Sequence, residues 1–433
     1  MTLTDTIFAV SSGRPPAAIA IIRLSGPHAL EAAEKMSGRA LPSARRAALR
    51  RFYDPASSEP LDEGLLLCFP GPNTETGEDM VEFQCHGSHA VVRGIEGALS
   101  ALPGLRPAGP GEFTRRAFLN GKMDLAGIEG LGDLIAAETA LQRRAAMAMM
   151  GGRLSRRIED WTGRLRKLAA QIEAQLDFSD EGDVADTGAP TGIADEAQVI
   201  AREMQSELAK PPAERLRDGV RVAIGGPPNA GKSSLFNYLV GREAAIVSPH
   251  AGTTRDVIEA TINLRGVPVV LADSAGLRDG VEEVEQIGIL RAEALLADAD
   301  IVLWLGSPDA KPSTSGKLLQ VFPKSDLGPA KYLPSSSLSL STVTGEGTEA
   351  LVEWICSAAS SLLPAPGDYA LSARQRDIIQ RAQSALIDVR HLADEILIGE
   401  CLRQAMVALD EITGRSTTDA VLDELFSGFC IGK

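Results

Sequence analysis

The stretch Val220–Gly241, VRVAIGGPPNAGKSSLFNYLVG, constrains this chain more than any other. Alternating apolar residues read as a strand, Gly226 through Ser233 fit G-x-x-x-x-G-K-[ST], and a helical pattern follows. Gly226 and Gly231 let the backbone curl so that successive N–H groups face phosphate oxygens. In such a loop Lys232 reaches the β- and γ-phosphates and Ser233 ligates Mg2+. The expected phosphate-facing set is Asn229, Ala230, Gly231, Lys232, Ser233 and Ser234. Strand and helix patterns alternate over residues 219–362, which predicts a parallel sheet flanked by helices.

Further motifs in that span select the base and the metal. The segment FPKSD, residues 322–326, follows an apolar run and keeps two of the three fixed positions of N-K-x-D. Asp326 can accept from guanine N1–H and N2–H2, which adenine cannot satisfy, and Lys324 would lie along the base plane. Pro323 stands where Asn is expected and removes an amide that normally braces this loop. Weaker nucleotide holding with guanine specificity retained is therefore expected. Ser341 and Thr342 occupy the place of the loop that touches guanine from behind. In AGTTRD, residues 251–256, Thr254 can bind Mg2+ and sense the γ-phosphate. In LADSAGLRDG, Asp273 and Gly276 make D-x-x-G, with Asp273 holding Mg2+ through water. Leu277 stands where many GTPases carry the glutamine that orients attacking water, and an apolar side chain cannot do that. Asp279, Glu282, Glu283 and Glu285 are the nearby acids that could.

A chain of 433 residues has room for roughly two to four domains. The net charge of −15 argues against binding nucleic acid over the whole surface. Basic residues nevertheless concentrate from Arg143 to Lys167, with smaller knots at Arg45/Arg46, Arg50/Arg51 and Arg115/Arg116. These are solvated helix faces or local sites for a phosphate backbone. Five scattered cysteines fit free thiols in a reducing cytoplasm. The N-terminus lacks the layout of a secretory signal, and no apolar run is long enough to span a bilayer.

Before the phosphate loop, AAIAIIRLSG, LDEGLLLCFP and MVEFQCHG read as strands ended by Gly or Pro, with a helix over Ala90–Leu99. From about Ile128 to Phe178, and again over Ala194–Leu208, apolar residues recur at helical steps. SDEGDVADTGAP, between them, reads as a loop, and helix returns after LPAPGD through Phe426. The expected architecture is α/β plus all-α: an N-terminal α+β domain and a helical domain split by an inserted Ras-like P-loop G domain. Cys85, His86 and His89 are tightly spaced for a tetrahedral metal, with no second cluster to complete one.

IIRLSGP, TGEDMVEFQCHGS, RPAGPGEFTRRAFLNGKMDLAGIEGLGDLI and the terminal FCIGK occur in an order that closely resembles tRNA-modifying GTPases of the MnmE/TrmE family. The resemblance covers essentially the full length. It implies a folate-binding and dimerisation domain at 1–118, helical segments at 119–215 and 365–433, and a G domain at 216–364. It implies a cytoplasmic homodimer without membrane attachment. An MnmG-type, FAD-dependent partner would complete a heterotetramer, with FAD on that partner only. Such proteins add an aminomethyl or carboxymethylaminomethyl group to C5 of wobble uridine 34 of tRNA. The carbon comes from 5,10-methylenetetrahydrofolate, of which 5-formyltetrahydrofolate is an analogue.

Carried over residue by residue, the folate contacts fall on Arg23, Glu82, Lys122 and Lys433. The K+ ligands fall on Asn229 and on Ser248, His250 and Thr253, and the water-activating acid is Glu285. Pro249 within the K+ loop departs from the common family pattern. Cys430 could be a lipidation box, a buried thiol or an active-site edge. Gly432 and Lys433 fit prenylation poorly, and the resemblance implies that the terminal segment delivers Cys430 to the folate pocket. A regulatory, RNA-binding GTPase of ribosome assembly would share the motifs from Gly226 onward, but would not need Arg23, Glu82, Lys122 or Cys430.

Overall fold

The computed structural model describes residues 4–179, 191–242, 258–273, 290, 292–328, 334, 337–365, 367–416, 418–429 and 432. It divides into two compact units, Met1–Ile128 with Thr413–Lys433, and Glu129–Ile412.

The first unit is built on a six-stranded sheet of order β3-β4-β5-β2-β1-β6. The strands are β1 (Thr6–Val10), β2 (Ala17–Ser25), β3 (Ala48–Tyr53), β4 (Pro60–Phe69), β5 (Met80–Gly87) and β6 (Leu105–Pro107). Alternation within β2 and β5 sends Ile22, Leu24, Val81, Phe83 and Cys85 into one core with α1 (Ala29–Ser37) and α2 (His89–Ser100). Burying each large apolar side chain there contributes about 1.5–3 kcal/mol. The same alternation turns Arg23 and Glu82 to the opposite face. The expected strands and the α2 helix are present. β1 and β6 went unread because a short, fully buried run and a three-residue strand carry no alternation. β3 was hidden by Arg50 and Arg51 in its middle.

The terminal helix Asp419–Ser427 belongs to this first unit, where Leu422 and Phe426 share a core with Leu125 and Ile128. The sequence pattern grouped it with the preceding helices because all show the same helical period. Gly432 carries φ 97°, and a Cβ there would lie 2.1 Å from the Val10 carbonyl oxygen. Ser11 Oγ donates to the Gly432 carbonyl at 2.8 Å. Only glycine allows that approach.

In the second unit the helical stretch expected after Ile128 is broken twice. α4 (Leu125–Ala136), which begins in the first unit, is followed by α5 (Ala140–Met150) and α6 (Arg153–Ser179). Thr139 opens α5 through a reciprocal cap with Gln142, and Gly151–Gly152 separates it from α6. Then come α7 (Thr191–Leu208) and α8 (Ala213–Asp218), which leads into the second sheet.

That sheet has the order β12-β11-β10-β7-β9-β8. Its strands are β7 (Val220–Gly225), β8 (Ile258–Leu264), β9 (Val267–Asp273), β10 (Ile301–Trp304), β11 (Lys317–Phe322) and β12 (Ser337–Ser339). All neighbours pair in parallel except β8 and β9. These form a hairpin through Arg265 and Gly266, whose φ values of 51° and 89° suit a two-residue turn.

Helices on either side of the sheet in sequence meet in space. Gln383 Nε2, on the helix Ala373–Asp388, donates to the Ala201 carbonyl of α7 at 3.2 Å. The chain's exit from α7 is zipped to its return, since Ala213 N donates to Leu371 O and Ala373 N to Glu214 Oε1.

Candidate functional sites

The phosphate loop joins β7 to α9 (Lys232–Arg242). Gly226 and Gly231 have φ of 150° and 96°, and Asn229 is also left-handed at 61°. A Cβ at Gly226 would press to 3.1 Å of the Leu305 backbone, so the loop sits hard against the end of β10. Lys232 is 5% exposed and its ammonium arches back over the loop, donating to the Gly226 and Pro227 carbonyls at 3.0 and 2.9 Å. Ser233 Oγ donates to Asp273 Oδ2 at 2.8 Å. A hydroxyl and a buried carboxylate side by side at the loop's end are a suitable oxygen pair for Mg2+. Ser234 is exposed and Ala230 half-buried on the same turn.

The base-reading segment lies beside this loop. Lys324 has φ 64°, and its ammonium donates to the Asn229 carbonyl at 3.0 Å. A Cβ at Gly231 would stand 3.6 Å from the Pro323 ring. The two segments are thus tied by Lys324, and Pro323 fills the space a side chain at Gly231 would enter. Asp326 Oδ1 accepts from Ser341 Oγ at 2.6 Å. Ser341 is fully buried, and its oxygen also accepts from the Val343 and Thr344 amides. One carboxylate oxygen is therefore fixed while the acid stays exposed on the short turn Ser325–Leu327 that follows β11. Thr342 is half-buried on the same loop. Ser248, His250, Thr253, Thr254, Gly276 and Glu285 lie outside the described residues.

In the first unit, Arg23 on β2 and Glu82 on β5 are direct cross-strand partners. Arg23 Nε and Nη2 donate to Glu82 Oε1 at 3.2 and 3.0 Å, while Nη1 donates to Glu75 Oε2 at 2.8 Å. Glu75 sits in the connection from β4 to β5, and no motif in the chain points to it. Lys122 approaches the same connection, its Cε 3.0 Å from where a Gly77 Cβ would be. Arg23, Glu82 and Lys122 therefore converge on residues 75–82. Cys430 and Lys433 lie outside the described residues.

A buried ion cluster holds that connection. Arg116, on α3 (Glu112–Leu119), is 1% exposed. It donates to the Asp5 carbonyl and carboxylate, each at 2.9 Å, and to Glu78 Oε2 at 3.1 Å. Glu78 also accepts from Ser25 Oγ at 2.6 Å, and Asn120 Nδ2 donates to the Thr76 carbonyl at 2.7 Å. Burial works against ionised Glu112 and Asp5. Arg106 and Arg116, with the Gly109 amide at Glu112, outweigh it and hold both carboxyls below the ordinary range.

The basic knots find internal partners. Arg115 pairs with Asp423, Arg51 with Glu63, and Arg45 lies over Phe69. Within the Arg143–Lys167 run, Arg157 and Arg164 clamp Glu203 of α7, and Arg164 also reaches Glu196. Those residues are helix-to-helix ties, while Arg143, Arg144, Arg156, Arg166 and Lys167 are exposed.

Cys85 is no metal ligand in waiting. Burial pushes its thiol up to about 11, its sulfur faces the Ala20 carbonyl, and His86 is taken by Asp62. Among the described residues no group of His, Cys, Asp and Glu is arranged to hold a metal. No helix among them is long and apolar enough to cross a membrane.

Two family models match the sequence. One, described as the MnmE helical domain, covers residues 125–430, and the other, the GTP-binding protein TrmE N-terminus, covers 6–122. Similar curated proteins share the name tRNA modification GTPase MnmE. The one from Erythrobacter litoralis is 50% identical over 99% of this chain and 100% of its own length. That from Rhizorhabdus wittichii is 51% identical over 99% and 97%. That from Zymomonas mobilis is 45% identical over 99% and 100%.

Proposed function

This chain belongs to the MnmE family of tRNA modification GTPases, and on that premise we propose that it hydrolyses GTP to support modification of wobble uridine 34. In this reading it adds an aminomethyl or carboxymethylaminomethyl group at C5, together with an MnmG-type, FAD-dependent partner. The carbon is drawn from 5,10-methylenetetrahydrofolate. The protein works as a cytoplasmic homodimer in a helical, folate-type and G-domain arrangement.

The tie between phosphate loop and base-reading loop is the observation that carries the nucleotide half. Lys324 on the Asn229 carbonyl and Asp326 on buried Ser341 present one acid to a base beside a phosphate cradle. An acid acceptor matches the adjacent N1–H and N2–H2 of guanine. Ser233 and Thr254 would hold Mg2+, with Asp273 acting through water, and the ion would neutralise phosphate charge. Asn229, with Ser248, His250 and Thr253, would hold K+, and Glu285 would polarise the attacking water. Gly276 would respond to the γ-phosphate.

Support for the carbon half comes from Arg23, Glu82 and Lys122 meeting at one connection. Glu82 can accept from pterin N–H groups, and the two cations can pair the glutamate tail. Cys430 and Lys433 complete this set, and the docking of Gly432 beside Ser11 supports a terminal segment that belongs with the first unit. The test is mass spectrometry of wobble uridine after gene deletion, with complementation by Cys430→Ser. Loss of the C5 group in the deletion, and no rescue by a Cys430→Ser protein of unchanged GTPase rate, is expected. Normal uridine 34 together with defective ribosomal subunits would favour the ribosome-assembly alternative instead.

A further inference from the structure

Arg23 stands between two carboxylates, and they are held very differently. Glu82 is locked opposite Arg23 in the β2–β5 ladder, its side chain 15% exposed. Glu75 is 52% exposed and reaches Nη1 from a connecting segment. One cation against two anions leaves the spot locally negative, so an incoming carboxylate meets net repulsion.

The segment that carries Glu75 is itself well anchored. Thr76 is fully buried and shares a 2.7 Å hydrogen bond with Ser25 Oγ. Thr74 Oγ1 donates to the Glu78 carbonyl at 2.6 Å, and Gly71 N donates to Asp79. Glu78 is gripped by buried Arg116. With neighbours on each side fixed, Glu75 can leave Arg23 by side-chain rotation alone, without remodelling the backbone. The Lys122 side chain lies against Gly77, two residues along, so a second cation belongs to the same connection.

We propose that Glu75 is a built-in competitor at the candidate folate site: its carboxylate occupies Arg23 in place of the ligand's glutamate carboxylate and is displaced when that ligand binds. The inference rests on the folate reading of Arg23, Glu82 and Lys122. Glu75 then sets a threshold that favours ligands bearing a carboxylate strong enough to displace it. A tail-less pterin neither needs nor causes that exchange.

Calorimetric titration of the full-length protein and its Glu75→Gln variant tests this, with 5-formyltetrahydrofolate and with 6-methyltetrahydropterin as probes. The variant is expected to bind the folate about two- to fivefold more tightly at low salt, the range an exposed ion pair permits. High salt should shrink the gain, and affinity for the tail-less pterin should not change. Glu75→Ala should repeat the result, and equal denaturation midpoints should exclude a folding effect. Unchanged or weaker folate binding in both variants, or an equal gain for the tail-less pterin, would overturn the competitor role while leaving the folate reading intact. A wild-type protein that binds neither probe removes the premise itself.

Discussion

The two candidate sites handle charge in opposite ways. At the phosphate loop, Lys232 is aimed by the Gly226 and Pro227 carbonyls of its own loop. In the first unit, Arg23 on β2 is aimed by the carboxylates of Glu82 and Glu75, and buried Arg116 on α3 by Asp5 and Glu78. Carbonyl dipoles orient a cation at small electrostatic expense, so a densely charged phosphate can take it over. Carboxylates neutralise a cation, so a ligand must displace one of them or match the arrangement. The lesson is that the first site suits a polyanion, while the second suits a ligand carrying its own mix of donors and one or two carboxylates.

The strongest way to break this comparison is at Arg116. Arg116→Met leaves Asp5, Glu78 and Glu112 clustered without their central cation, and should cost about 3–5 kcal/mol of stability in the first unit. Denaturant unfolding followed by a probe in that unit measures it, and the GTPase rate of the folded protein should stay near wild type. An unchanged unfolding midpoint would show that the cluster is not structural.

Lys232→Ala should reduce GTP hydrolysis by about 100- to 1000-fold, the scale of losing a positioned donor to developing charge. Folate binding should be untouched, and a parallel loss there would erase the distinction between the sites. Asp326→Asn is expected to lower GTP affinity by about tenfold or more, since a charged acceptor is replaced by a neutral one. The amide can donate to a carbonyl at C2 of the base, so xanthosine triphosphate should bind better to the variant than GTP does. Competition binding with the two nucleotides decides it.

The smallest effect is in pH. Glu112 and Asp5 have folded-state values below the ordinary carboxylate range, so their stabilising effect is complete above that range. It is lost as pH falls through their lowered values. Glu129 in the second unit behaves oppositely, because burial outweighs Arg374 and raises its value. Its contribution is full below the ordinary value and lost as pH rises through the raised one. Denaturant midpoints compared between about pH 6 and pH 3 should fall for the first unit, while the part governed by Glu129 gains.

The candidate nucleotide site is legible because its parts are consecutive residues whose spacing is its geometry. The spacing of Gly226, Gly231, Lys232 and Ser233 predicts a phosphate loop, and the structure puts these residues between β7 and the first turn of α9. The sequence shows Pro323 only as a lost brace, since the closeness of its ring to Gly231 joins residues far apart in sequence. In the sequence Arg116 belongs to a basic knot that fits a solvated helix face or a phosphate-backbone site, yet it is buried among acids from just before β1, the β4–β5 connection and its own helix. No local pattern distinguishes an exposed Arg-Arg pair from one whose second member turns inward. Arg23 and Glu82 came from resemblance, and Glu75 came from neither.

By itself the sequence determined what local periodicity and loop chemistry can encode. That includes the phosphate loop, the main strands of both sheets, the helix-rich regions and the full-length family signature. Tertiary structure decided which charges meet. It gave Arg23 two carboxylates, buried Arg116, and set the terminal helix with the first unit through Leu422 and Phe426. It also fitted Gly432 against Val10 where no side chain could enter. The physical reason is range: backbone conformation is chosen over a few residues, whereas ion pairs and apolar contacts depend on positions brought together only when the chain is folded.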